Sequence, residues 1–265
     1  METILIAVGL VAGIGLLIGL ILSVASIIMA VPKDEKAEKI AEALPGANCG
    51  ACGYSGCSGY AEALAKGEAE VGLCAPGGIN CAKEISKILG VATGNMEKKV
   101  AVVHCMGSLD NTDYKAAYNG VKSCSAAMKI GGGLTACSFG CMGLGDCEAA
   151  CPYDAIHVCN GVAVVDEKKC KACAVCVKAC PRKIISIVPL KNSAVMRCSN
   201  KDKGGVARKQ CTSACIGCKK CEKNCPTGAV TVKDFCAVVD PEKCNGCGSC
   251  VDNCPQHCIT YISPY

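Results

Sequence analysis

Three stretches of this chain space cysteine identically: Cys170, Cys173, Cys176 and Cys180 before Pro181; Cys215, Cys218, Cys221 and Cys225 before Pro226; Cys244, Cys247, Cys250 and Cys254 before Pro255. Three thiolates two residues apart in one tight loop can grip three corners of an iron–sulfur cube, and the fourth can reach a neighbouring cube. That is a [4Fe–4S] spacing. A variant run, Cys137, Cys141, Cys147 and Cys151 before Pro152, precedes the first.

Shifting the chain by 74 positions lays Cys141, Cys147, Cys151, Cys170, Cys173, Cys176 and Cys180 on Cys215, Cys221, Cys225, Cys244, Cys247, Cys250 and Cys254, and Cys137 on Cys211. Residues 137–188 and 211–265 therefore read as two copies of one two-cluster unit of ferredoxin type. In such units the fourth cysteine of each run binds the other run's cube. The expected sets are Cys215, Cys218, Cys221 with Cys254; Cys244, Cys247, Cys250 with Cys225; and Cys170, Cys173, Cys176 with Cys151. In the variant run Leu144 stands where the repeat has Cys218, so Cys137 is expected to complete Cys141, Cys147 and Cys180. The remaining Cys105, Cys124, Cys198 and Cys211 are a candidate sixth set, against the alternative that small buried cysteines fill a core.

Upstream, Cys49, Cys52 and Cys57 lie in a glycine-rich loop, and Cys74 follows a short helical stretch at 58–66 that has Tyr60, Ala61 and Leu64 on one face. Four ligands make a self-contained single-cluster module, with structural zinc as the alternative. Cys81, Cys159, Cys236 and Cys258 are expected to pack, the last three flanking short strands. His104, His157 and His257 share no metal or acid–base spacing and are expected to be structural.

The elements that must position these thiols are modest. With 28 Cys, 30 Gly, two Phe and no Trp in 265 residues, the chain has little bulk for an aliphatic core, so cofactors are expected to organise folding. Disulfides suit secreted chains, and no cleavable signal peptide is visible. The formal charge of +5 omits the cofactors. Each cube with four thiolates carries about −2, so six would bring the chain to about −7, and its lysines are no argument for nucleic acid. No Rossmann fingerprint, phosphate loop or nucleophile triad is present.

Residues 3–31 contain no charge and are long enough for a transmembrane helix contacting membrane lipid. Lys33, Lys36 and Lys39 follow it, placing the bulk of the chain in the cytoplasm on a single-pass anchor in the cell membrane. The expected class is α+β: anchor 1–32, single-cluster domain 33–90, connecting α/β segment 91–136, ferredoxin-like unit 137–188, looped linker 189–210 and ferredoxin-like unit 211–265. A strand is expected at 99–105 and a helix at 114–128, with Gly131, Gly132 and Gly133 as a hinge.

The anchor, the module of Cys49, Cys52, Cys57 and Cys74, and the Cys141 to Cys147 loop together resemble the B-subunit family of Rnf complexes, membrane-bound ferredoxin:NAD oxidoreductases. The resemblance implies electron uptake from reduced soluble ferredoxin and delivery to other membrane and flavin subunits, with Na⁺ or H⁺ movement and NAD⁺ reduction elsewhere in the complex. The alternatives are a polyferredoxin of a hydrogenase or quinone-linked dehydrogenase, and an Fe–S scaffold or redox sensor.

Overall fold

The computed structural model describes residues 2–28, 34–92, 97–115 and 117–262. The end of the expected 3–31 stretch, and Lys33, lie outside the described residues.

Helix α1 (Glu2–Ile28) has 27 residues, about 40 Å at 1.5 Å per residue. Among the described side chains of this helix the large apolar ones are exposed; Leu16 is 77% and Leu20 68% exposed. Among residues whose side chains are described, no helical stretch is long and apolar enough to cross a membrane. Within α1 that description is continuous only over 12–24.

Three helices follow: α2 (Glu35–Ala43), α3 (Cys57–Ala65) and α4 (Gly78–Leu89). Asp34 caps α2 by accepting the Lys36 N–H at 2.9 Å, and Glu35 and Glu38 favour the positive end of the helix dipole. The helices close on Ile40, Tyr60, Leu64 and Ile85, all 2% exposed or less. Tyr60 keeps its hydroxyl satisfied inside this core, donating to the Glu70 carbonyl at 2.8 Å and accepting from the Leu73 N–H at 3.2 Å.

The remainder is two copies of one α+β plan. In the first, β1 (Lys99–Val103) pairs antiparallel with β4 (Ile185–Pro189), and β2 (Ile156–Cys159) pairs with β3 (Val162–Val165). In the second, β5 (Ser193–Met196) pairs with β8 (Ile259–Ile262), and β6 (Val230–Lys233) with β7 (Cys236–Val239). Short helices α5 (Cys124–Met128), α6 (Asp146–Ala149) and α7 (Val175–Ala179) serve the first copy. Helices α8 (Gly204–Gln210), α9 (Lys220–Lys223) and α10 (Ser249–Asp252) serve the second. The core is built of Val, Ile, Ala and cysteine sulfur.

Two expectations change. The stretch 189–210 is not a plain loop: it supplies β5, the outer strand of the second copy, and α8. The helix expected over 114–128 is confined to Cys124–Met128, and Tyr114 instead forms a β-bridge with Thr135. Ser123 caps the shortened helix by accepting from the Ala126 N–H at 3.4 Å. Gly131, Gly132 and Gly133 form a positive-φ turn, fastened where Arg182 donates to the Gly132 carbonyl.

Each run threads beside the opposite hairpin. Gly143 (φ +69°) lies against the Gly161 carbonyl, and its repeat partner Gly217 (φ +62°) lies so close to Phe235 that an added Cβ would sit 2.9 Å from the carbonyl oxygen. Only glycine tolerates both the left-handed backbone and this approach. Gly143→Ala is expected to cost about 1–2 kcal/mol from backbone strain alone, with earlier thermal loss of iron. Gly205→Ala, which meets nothing within 4 Å, should behave as wild type; iron release on heating measures both.

Candidate iron–sulfur sites

The cysteine sulfurs gather in six groups. Site A is Cys49, Cys52, Cys57 and Cys74, around a cavity of about 310 Å³. The Asn48 side chain shapes its loop, accepting the Cys57 N–H at 2.8 Å. Site B is Cys151, Cys170, Cys173 and Cys176, around about 340 Å³. Site E is Cys215, Cys218, Cys221 and Cys254, around about 330 Å³. Site F brings Cys225, Cys244 and Cys247 to Cys250, which feels their charge. These four groups are the expected ones, crossed fourth cysteines included.

The other two groups exchange a member. Cys147 feels the charges of Cys141, Cys124 and Cys180, so Cys124 completes site C. Cys137 instead faces site D, where Cys105, Cys198 and Cys211 share a cavity of about 350 Å³ with it. Asp146, inside the Cys141 to Cys147 loop, explains the exchange. Its carboxylate accepts the Cys124 N–H at 2.9 Å, the Ser125 N–H at 2.9 Å, and the hydroxyls of Ser123 and Ser125 at 3.1 and 2.9 Å. Burial opposes its ionisation, but these donors hold its pKa below the usual carboxylate range. The start of α5, and with it Cys124, is thereby pinned beside the run that lacks a counterpart of Cys218.

Site D sits on the seam between the copies and takes equivalent pieces from each. Cys105 follows β1 and Cys198 follows β5; Cys137 and Cys211 are repeat partners. Cys105 accepts the Cys141 N–H at 3.2 Å, and Cys198 accepts the Cys215 N–H at 3.3 Å. Likewise Ala101 of β1 donates to Cys170 Sγ at 3.4 Å, and Ala194 of β5 to Cys244 Sγ at 3.5 Å. The seam is also fastened by His104, whose ring bridges Ser186 Oγ and the Met196 carbonyl, each at 2.6 Å. That is the structural role expected of this histidine.

The donor set fits polynuclear iron. No carboxylate or imidazole lines the four cavities. Among the described residues, no three His, Cys, Asp or Glu side chains converge on one metal position. Burial pushes Cys105 and Cys147 up to about 12, and Cys176, Cys221 and Cys250 up to about 11, with neighbouring sulfur charge adding to all five. These five bare thiols stay protonated, whereas hydrogen bonds from Cys81, Cys236 and Cys258 lower Cys74 to about 6, Cys198 to about 7 and Cys254 to about 5. Where burial dominates, bound iron would supply the positive charge that lets the thiols ionise, and loading would release protons.

Of the cysteines expected to pack, Cys159 is exposed, whereas Cys81, Cys236 and Cys258 are buried against candidate ligands. Sequence reasoning set Cys81 near the single-cluster module and Cys236 and Cys258 at strands flanking the cluster loops but gave all three only a packing role; the internal repeat could have flagged two of them, because Val162 and Ile184 stand where the second copy has Cys236 and Cys258.

Paired sulfur sockets on duplicated units, each of one hairpin and one long-range strand pair, define a multi-cluster protein of ferredoxin type. Family models agree: 4Fe-4S dicluster domains match residues 169–229 and 214–258, and an Fe-S cluster domain matches 44–76. The 169–229 match spans parts of both copies, whereas strand pairing keeps the copies separate. The chain is 41% identical over 98% of its length, and 78% of the relative's, to the B subunit of the Na(+)-translocating ferredoxin:NAD(+) oxidoreductase complex of Acetobacterium woodii. It is 37% identical to the B subunit of the ion-translocating oxidoreductase complex of Methanosarcina acetivorans, covering 92% of this chain and 93% of that one. With the B subunit of the proton-translocating ferredoxin:NAD(+) oxidoreductase complex of Clostridium ljungdahlii, identity is 35%, covering 91% and 85%. The chain belongs to this B-subunit family of ion-translocating oxidoreductase complexes, the Rnf family.

The grouping at C and D can be tested by counting iron in double variants. Starting from Cys147→Ala, adding Cys124→Ala should cost no further iron, while adding Cys137→Ala should cost about four more Fe per chain. The reverse result would restore Cys137 to site C.

Proposed function

We propose that this chain is the membrane-anchored electron-transfer arm of an ion-translocating ferredoxin:NAD oxidoreductase, with all six sulfur groups acting as [4Fe–4S] sites. A bound [4Fe–4S] group supplies one-electron transfer at a potential set by burial and by hydrogen bonds to its sulfurs. The ligand sets are those of sites A to F, including Cys105, Cys137, Cys198 and Cys211 at D.

The observation that carries the reading is that these sets form one unbranched series. Lys178, beside site B, donates to the Cys49 carbonyl of site A at 3.3 Å, and Tyr153 feels sulfur charge from both. Crossed cysteines join B to C and E to F. The Cys141 and Cys215 amides join C to D and D to E. A sensor or a scaffold has no need of such a series.

The ends of the series differ. At the second copy Cys218 and Cys247 are exposed, with Lys219, Lys220, Lys223 and Lys243 exposed around them. This end suits an acidic one-electron carrier, and reduced ferredoxin docks here. Site A lies nearest in sequence to α1. Helix α1 enters lipid as a single pass, supported by its length and outward apolar side chains, and leaves the sites on the cytoplasmic side. Flavin and NAD chemistry and the ion path belong to partner subunits.

Deleting residues 1–31 should give a brown protein that no longer partitions to liposomes, holds about 24 Fe per chain and is reduced by ferredoxin in stopped flow. About 20 Fe would remove site D from the reading. Changing Lys219, Lys220 and Lys223 to Glu should slow that reduction roughly tenfold at low ionic strength, with the difference narrowing as salt rises. An unchanged rate would move the docking site elsewhere.

A further inference from the structure

The two copies differ at two buried positions beside equivalent ligands, Cys236 and Cys258 of the second standing where the first has Val162 and Ile184, and the second of these lies against the crossed cysteine. Four residues after Cys254 of site E stands Cys258, whose sulfur lies 3.5 Å from Cys254 Sγ. Cys258 is 1% exposed and lines the same cavity as the site E thiols. Four residues after Cys180 of site C, the repeat partner of Cys254, stands Ile184, buried to 4% exposure. One copy thus places a thiol where the other places a hydrocarbon.

Once Cys254 binds iron it has no proton to give, so between the two sulfurs the only S–H available is that of Cys258. Reduction adds negative charge to a cluster and spreads part of it onto the ligand sulfurs, so a hydrogen bond donated to such a sulfur favours the reduced form and raises the potential. A buried donor does so more strongly than a solvated one. Ile184 offers no donor to Cys180.

We propose that Cys258 is a potential-setting residue that acts through Cys254, making site E easier to reduce than its repeat counterpart, site C. This rests on the reading of Cys254 as an iron ligand. It gives otherwise equivalent units unequal places in the series: the copy with the exposed thiols holds the better electron acceptor.

The test is an anaerobic EPR-monitored redox titration of the full-length protein, with iron and acid-labile sulfide measured on each sample. Cys258→Ile, which installs the residue the first copy already accommodates, and the smaller Cys258→Ala should each keep full iron and shift one cluster to a more negative midpoint potential. Cys258→Ser, retaining a donor, should restore much of the wild-type value. Ile184→Cys should shift a cluster in the opposite direction, and removal of the exposed thiol in Cys159→Ser should change nothing. Full iron with unmoved potentials in both the Ile and Ala variants would overturn the proposal. Loss of about four Fe in both would also overturn it, by making Cys258 a ligand. The ligand reading is checked separately: Cys254→Ala retaining all its iron would sink that reading, whatever the potentials do.

Discussion

The constraint on which this structure depends is the crowding of thiols in space where burial keeps many of them from ionising unaided. Cys147 illustrates it: burial and the sulfur charges of Cys141, Cys124 and Cys180 all disfavour its thiolate. Iron supplies the opposing charge, so folding and loading are linked. The secondary structure is correspondingly slight, with four-residue helices and two-stranded sheets. Such elements are marginal alone. They are sufficient here because the cysteine runs are braced against paired strands, as where Ala101 and Ala194 donate to Cys170 and Cys244, and because a bound cluster would tie each run from the other side.

Much of the chemistry was legible because ferredoxin-type spacing is local. The runs beginning at Cys170, Cys215 and Cys244 carry their own geometry in fourteen or fewer consecutive residues, and the crossed fourth cysteines follow from it. Helix α3 was similarly readable, since Tyr60 and Leu64 fall at helical spacing, whereas α4 was not expected. Assigning Cys137 to site C applied the same local logic to a run that lacks one ligand. The structure instead sets Cys124 beside that run through Asp146, which holds it from 22 residues away in sequence. Spacing carries no trace of that contact.

The strands show the same division. The sequence 99–103 reads as a strand by itself, but its partner lies more than 80 residues away. Strand β5 is four residues in a polar, glycine-rich neighbourhood, and only pairing with the far end of the chain at β8 gives it a role. With β1 and β5 in place, Ala101 and Ala194 become equivalent amide donors to Cys170 and Cys244. The true repeating module therefore begins earlier than the first cysteine of either run, and the symmetry of the cysteine pattern understates the symmetry of the fold.

Site D has an architectural consequence. Each copy brings one cysteine from behind its outer strand and one from ahead of its first run, so a lone copy owns half a socket. Concatenating further copies in this arrangement would add their internal pairs of sockets and complete a new one at every junction. With a cluster bound at D as proposed, length could then grow by tandem duplication without opening an insulating gap, since each join would carry its own conductor.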